Sequence, residues 1–113
     1  MADWQVIDGP ETAASFASKI AESPLRQVQR TSIAAALAFS VAHIEKSIFN
    51  GLQRVIDMSG DGPNNQGGLV TSARDDVIAN GITINGLSLM LKGTGNGWYH
   101  MLNLDHYYED CVI

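Results

Sequence analysis

The densest run of oxygen-bearing residues is Asp57-Met58-Ser59-Gly60-Asp61-Gly62-Pro63-Asn64-Asn65. Carboxylate and hydroxyl oxygens suit a hard cation such as Mg²⁺. Asp61 is the first candidate ligand. It stands just past an apolar run that reads as a strand, and ligands of parallel α/β sheets sit at the carboxyl ends of strands. Thr31, at the start of a helix, is the second candidate oxygen. The same residues have plainer roles. Asp61-Gly62-Pro63 is a turn signal in any protein. Thr31 is an ordinary helix cap, and Asp57 reads as a structural acceptor, because a carboxylate buried in mid-strand needs partners.

Other chemistries find little support. His43, His100 and His106 have no metal-ligand spacing. His43 reads as a packed or surface residue, and His106 beside Tyr107 and Tyr108 as part of an interface. No serine lies in a Gly-x-Ser-x-Gly elbow. The Gly-rich stretches 59–68 and 92–97 lack the Gly-Lys-Ser or Gly-Lys-Thr of a P-loop. The acids are dispersed, with no pair spaced for general acid–base work. Cys111 is the only cysteine, which excludes an internal disulfide and a cysteine zinc site. A small, partly buried thiol is expected there.

The elements that must position Asp61 and Thr31 follow from apolar spacing. Trp4–Ile7 reads as a short strand ended by Asp8-Gly9-Pro10. Pro10 and Glu11 suit the first turn of a helix, Ala13, Phe16, Ala17 and Ile20 recur at helical spacing, and Pro24 stops it. Thr31 or Ser32 caps a second helix, whose stripe is Ile33, Leu37, Val41, Ile44 and Ile48. Its many alanines imply close packing against a sheet, and Asn50-Gly51 is expected to end it. Val55–Ser59 is the strand that delivers Asp61. A helix over 69–79 follows, capped by Asn80-Gly81. Ile82–Met90 is the next strand, and its Asn85-Gly86 suggests a bulge or a close backbone approach. A Gly-rich loop over 92–99 leads to a short helix over 103–111. Three strands separated by helices favour parallel crossovers and a three-layer α/β sheet. Such a small sheet leaves edges uncovered.

The composition bounds the partners. The 113 residues make one domain at most. A hydrophobic fraction of 45% with 17% charged residues is globular. The formal net charge of -5 would repel a phosphate backbone, and the seven Lys and Arg form no cluster, so nucleic acid is not expected. The most apolar stretch, 33–44, is too short for the ~20 residues of a membrane span. Met1-Ala2-Asp3-Trp4 lacks the basic start and apolar core of a signal peptide.

Arg30-Thr31-Ser32-Ile33-Ala34-Ala35-Ala36-Leu37, followed by the strand into Asp61-Gly62, resembles the second half of a von Willebrand factor A domain. Residues 54–67, 81–87 and 104–113 are similar to an uncharacterised bacterial family of von Willebrand factor A-like proteins, and the resemblance runs from Trp4 onward. It implies a three-layer, mostly parallel, Rossmann-type sheet, here truncated on its N-terminal side. It also implies a metal-ion-dependent adhesion site built from three loops: Asp-x-Ser-x-Ser, a Thr before a helix, and an Asp followed by Gly. Thr31 matches the second and Asp61 the third. The first has no match, because the superficially similar Asp57–Asp61 follows the helix of Thr31 instead of preceding it. Gly60 stands where many relatives carry Thr. With one loop missing, Mg²⁺ binding by this chain is expected to be weak.

The function these residues point to is a non-enzymatic, cation-dependent binding module, with a protein ligand whose acidic group completes the coordination. The alternatives are a small hydrolase or phosphate-binding protein using Asp57, Asp61 and the 60–68 loop, or an inactive fragment. Full-length relatives would act outside the cytoplasm. The strand over 55–59 is expected to pair in parallel with that over 82–90. Its other edge is expected to pair with Trp4–Ile7 or with another copy of the chain.

Overall fold

The computed structural model describes residues 3–25, 30–89 and 103–113. The Gly-rich loop over 92–99, His100 and the expected strand end at Met90 lie outside the described residues. The chain order is α1 (Pro10–Ala21), α2 (Ile33–Glu45), β1 (Val55–Gly60), α3 (Val70–Ala79), β2 (Thr83–Ser88) and α4 (Leu104–Tyr107). A π-helical turn, Tyr108–Val112, continues α4. Among the described residues the fold is mixed α/β with a small parallel sheet of two strands. Among the described residues no helix is long and apolar enough to cross a membrane.

The expected parallel pair is present. β1 and β2 run in register from Val55 opposite Thr83 to Gly60 opposite Ser88. The register is continuous, so Asn85-Gly86 is no bulge. It is a close approach: a Cβ on Gly86 would lie 2.8 Å from Ile113 Cγ2 and 3.1 Å from Tyr108 Cδ1. Alternation along the strands gives the sheet two unlike faces. Ile56 and Ile84 turn inward and join Ile33, Leu37, Val77, Leu104, Tyr108 and Val112 in one core. Val55, Asp57, Ser59, Thr83, Asn85 and Leu87 are exposed on the other face. The expected three-layer sheet is therefore seen, among the described residues, as one sheet with helices on one side.

Several expectations are corrected. Trp4–Ile7 is not a strand and does not pair with β1. Local contacts hold it instead. Gln5 Nε2 donates to the Thr12 carbonyl at 3.1 Å and Lys19 Nζ donates to Gln5 Oε1 at 2.6 Å. The amides of Asp8 and Gly9 donate to Thr12 Oγ1, which fastens the start of α1. α1 contains no buried residue. Helix α2 ends at Glu45 with Lys46 as its cap, ahead of Asn50-Gly51, and Ile48 is left exposed. α2 packs chiefly along α3, and its Ile33 and Leu37 share the core with Ile56 and Ile84 of the sheet. Of the alanines around its stripe only Ala34 is buried. Asp57 is exposed, where a buried carboxylate was expected.

Other details agree with the reading. Asn80 caps α3 and Gly81 follows at φ 68°. That left-handed backbone favours glycine. Arg54 reaches the Asn80 carbonyl, which ties the entry of β1 to the end of α3. Cys111 is a half-buried free thiol.

Candidate functional site

Asp61 lies immediately after β1, exposed at the carboxyl end of the parallel pair. The strand delivers it there because the ladder ends with the Leu89 amide donating to the Gly60 carbonyl at 2.8 Å. Beyond Gly60 the chain leaves the sheet through Gly62 and Pro63.

Thr31 belongs to the same neighbourhood through the loop that follows Asp61. The Thr31 amide donates to Asn65 Oδ1 at 2.8 Å. The Thr31 carbonyl accepts from the Asn65 and Gln66 amides at 3.0 and 3.2 Å. The helix cap is Ser32, whose Oγ accepts from the Ala35 amide at 3.2 Å. Of the two cap candidates it is thus Ser32 that caps, and the Thr31 hydroxyl makes no hydrogen bond among the described residues.

Asn64 is the hub of the loop. Its Oδ1 accepts from the Ala34 amide at 3.2 Å and its Nδ2 donates to the Gly68 carbonyl at 3.0 Å. Its own amide donates to the Tyr107 hydroxyl at 3.1 Å. Thus Asn64 and Asn65 pin the loop to the first turn of α2, where amides have no partner within the helix. Gly67 adopts φ 86°, and a Cβ there would come within 2.7 Å of Ser32 Oγ. The sequence reading assigned no role to either asparagine. Their signal was the tandem Asn before Gly67-Gly68, since short amide side chains bond nearby backbone in loops.

The sequence places Tyr108 only beside His106 at an interface, whereas in the fold it is a core residue. Its side chain is 2% exposed, and its hydroxyl is buried with no hydrogen-bond partner among the described residues. The hydroxyl reaches the spot that a Cβ on Gly60 would occupy, so glycine at 60 is what lets it in. Burial raises the phenol pKa above its ordinary value, and the charges of Tyr107 and Asp61 add to the rise.

Asp57 stands apart from this group in its bonding. It accepts from Asn85 Nδ2 at 2.8 Å, across the register pair on the bare face of the sheet. His106 is exposed. His43 is half-buried and stacks on Trp4 and Phe39, with ring centroids 5.2 and 5.7 Å away. Among the described residues no group of three His, Cys, Asp or Glu is placed to hold a metal ion. Asp61 and the Thr31 hydroxyl are oxygen groups of the kind a hard cation takes.

A cavity of about 570 Å³ opens beside the loop, lined by Arg30, Asn64–Val70 and Tyr107. It faces the start of α3. Comparison with curated proteins and with solved structures finds no match. The family described as protein of unknown function (DUF1194) matches over residues 1–113, and the chain belongs to that family.

Proposed function

We propose that this chain is a non-enzymatic module that binds a protein partner through a divalent cation, and that its fold is the second half of a von Willebrand factor A-like domain. The observation that carries this is the position of Asp61. It is an exposed carboxylate at the carboxyl end of a parallel strand, and the next loop is bonded to Thr31. A cation such as Mg²⁺ supplies positive charge that a partner's carboxylate can meet. Asp61 and Thr31 hold it from this chain, and the remaining oxygens come from water and the partner. The bare face of the sheet suits the same fold, in which helices cover both faces of a parallel sheet.

Titration calorimetry with Mg²⁺ and Mn²⁺ tests the reading. Weak binding by the chain, lost in Asp61→Ala, is the expected result. Tight binding that survives Asp61→Ala would place the site elsewhere and sink the proposal.

One observation favours a second reading, a phosphate-binding protein built on the same loop. The cavity is lined by Arg30 and by Gly67 and Gly68 just before α3, a basic residue beside a helix start where amides favour anions. Inorganic phosphate binding that Arg30→Ala abolishes, in a chain that takes up no cation, would replace the first reading with this one.

A further inference from the structure

The dipeptide Asn-Gly occurs at Asn50, Asn80, Asn85 and Asn96. Glycine after asparagine leaves the next backbone nitrogen open to the side-chain amide, because it has no Cβ to stand in the way. Asn96 lies outside the described residues. The other three asparagines are all exposed, so access to water does not tell them apart. Their bonding does. Asn80 caps α3, its Nδ2 donates to the Asp76 carbonyl at 2.8 Å, and the Gly81 amide donates to the Ile78 carbonyl at 2.9 Å. Asn85 lies inside β2, with register pairs on both sides of it, and its Nδ2 donates to Asp57 Oδ1 at 2.8 Å. Asn50-Gly51 lies between α2 and β1 in no helix or strand. Among the described residues neither the Asn50 side chain nor the Gly51 amide makes a hydrogen bond. Its neighbours Ile48 and Leu52 are exposed, so packing does not fix the torsions of this segment.

We propose that Asn50 is a site of spontaneous deamidation in the folded chain, and that the fold protects Asn80 and Asn85 from the same reaction. The Gly51 amide nitrogen attacks the Asn50 side-chain carbonyl carbon and forms a new C–N bond. The bond from that carbon to Nδ2 breaks, and Nδ2 leaves as ammonia with the proton of the Gly51 amide. The resulting five-membered imide takes up one water and opens at either carbonyl, to aspartate or to isoaspartate. Closing the ring turns the peptide after the asparagine out of the regular α and β wells. The segment 49–51 can make that turn without opening an element. At Asn80 the turn breaks the helix cap, and at Asn85 it breaks the strand. The product adds a negative charge to the link between α2 and β1, and isoaspartate also lengthens its backbone by a methylene.

Peptide mapping after incubation in mildly alkaline buffer tests the proposal, on the folded chain and on the chain in urea. Trypsin cuts after Lys46 and Arg54, so Asn50 is the only asparagine of its peptide, and fragmentation separates Asn80 from Asn85 in theirs. In the folded chain the Asn50 peptide is expected to gain the mass of an amide-to-acid exchange and to split into two peaks. Asn80 and Asn85 are expected to convert about tenfold more slowly or less, since hydrogen bonds must open first. In urea the three are expected to convert at similar rates. Gly51→Ala, measured in urea where folding plays no part, is expected to slow conversion at Asn50. Conversion of Asn80 or Asn85 as fast as Asn50 in the folded chain would overturn the proposal. So would an Asn50 that converts in urea and stays intact in the folded chain, or a rate in urea that Gly51→Ala leaves unchanged.

Discussion

Gly60 and Tyr108 constrain each other across the chain. A Cβ on Gly60 runs into the Tyr108 hydroxyl, and the tyrosine ring is fixed by the core. Gly60→Ala should therefore cost about 1–3 kcal/mol, the usual penalty for overpacking. In a Tyr108→Phe background the nearest remaining ring atom is Cζ at 3.6 Å, an ordinary contact. The cost should then largely disappear. A double-mutant cycle by urea unfolding reads this as a coupling of roughly 1 kcal/mol or more. Strictly additive effects would show that the two residues do not touch. Tyr108 also gives stability a pH dependence. Its folded pKa lies above the ordinary 10.0, through burial first and then the charges of Tyr107 and Asp61. The native state thus favours the neutral phenol. The resulting stability is fully present below the ordinary tyrosine pKa and is lost as pH rises through the folded value. In chelator, the urea midpoint should fall above about pH 10, and it should fall less in Tyr108→Phe.

At the scale of elements, the joint between α2 and the loop after β1 matters most. Asn64 spans it with both side-chain atoms, meeting the Ala34 amide and the Gly68 carbonyl. Asn64→Ala should cost about 1–3 kcal/mol, since it leaves part-buried backbone groups without partners. Ser32→Ala should cost about 1 kcal/mol through the lost cap. Thermal melting reads both, and an unchanged Asn64→Ala melting point would show that the loop is held by other contacts. The joint also marks where the sequence stopped being legible. The parallel pair could be read from β-branched and apolar runs flanking a helix, because strands joined by a helical crossover pair in parallel. Asp61 could be placed at the end of a strand by the same logic. The bonds of Asn64 and Asn65 to Ala34 and Thr31 could not be assigned, because those backbone groups lie about 30 residues earlier in the chain. Trp4–Ile7 was misread for a related reason. Its composition suits a strand, but a strand exists only where a neighbour offers a ladder. Gln5, Thr12 and Lys19 supplied closer partners. Tyr108 was read only as part of an interface beside His106, because the space its ring fills depends on Gly60 and Gly86 in other elements.

At the scale of the molecule, the chain is expanded for its length. Its radius of gyration is 15.7 Å, against about 13 Å for a compact domain of ~100 residues. The excess goes with large apolar residues left outside, among them Phe39, Ile48, Leu52 and Leu87. On the bare sheet face Val55 is 43% and Leu87 is 61% exposed. The edge of β1 away from β2 has no partner among the described residues. Open edges and apolar faces invite association. We expect the isolated chain to form a dimer or larger species in size-exclusion chromatography with light scattering. Leu87→Lys, which places a charge on the bare face, should shift it toward monomer. A monomer at every concentration, unaffected by Leu87→Lys, would contradict this.

The weak anchorage of α1 has a consequence for how the chain opens. The helix buries no residue, and no hydrogen bond among the described residues joins the segment 3–25 to the rest. The Trp4–His43 stack is the contact that docks it. Stability in proteins is distributed in cooperative units, and a unit with little burial opens by itself at low cost. In hydrogen–deuterium exchange, the α1 amides should therefore label through local fraying, on a timescale independent of added urea. The amides of β1 and β2 should wait for global unfolding. The two populations would separate α1 as a foldon distinct from the core.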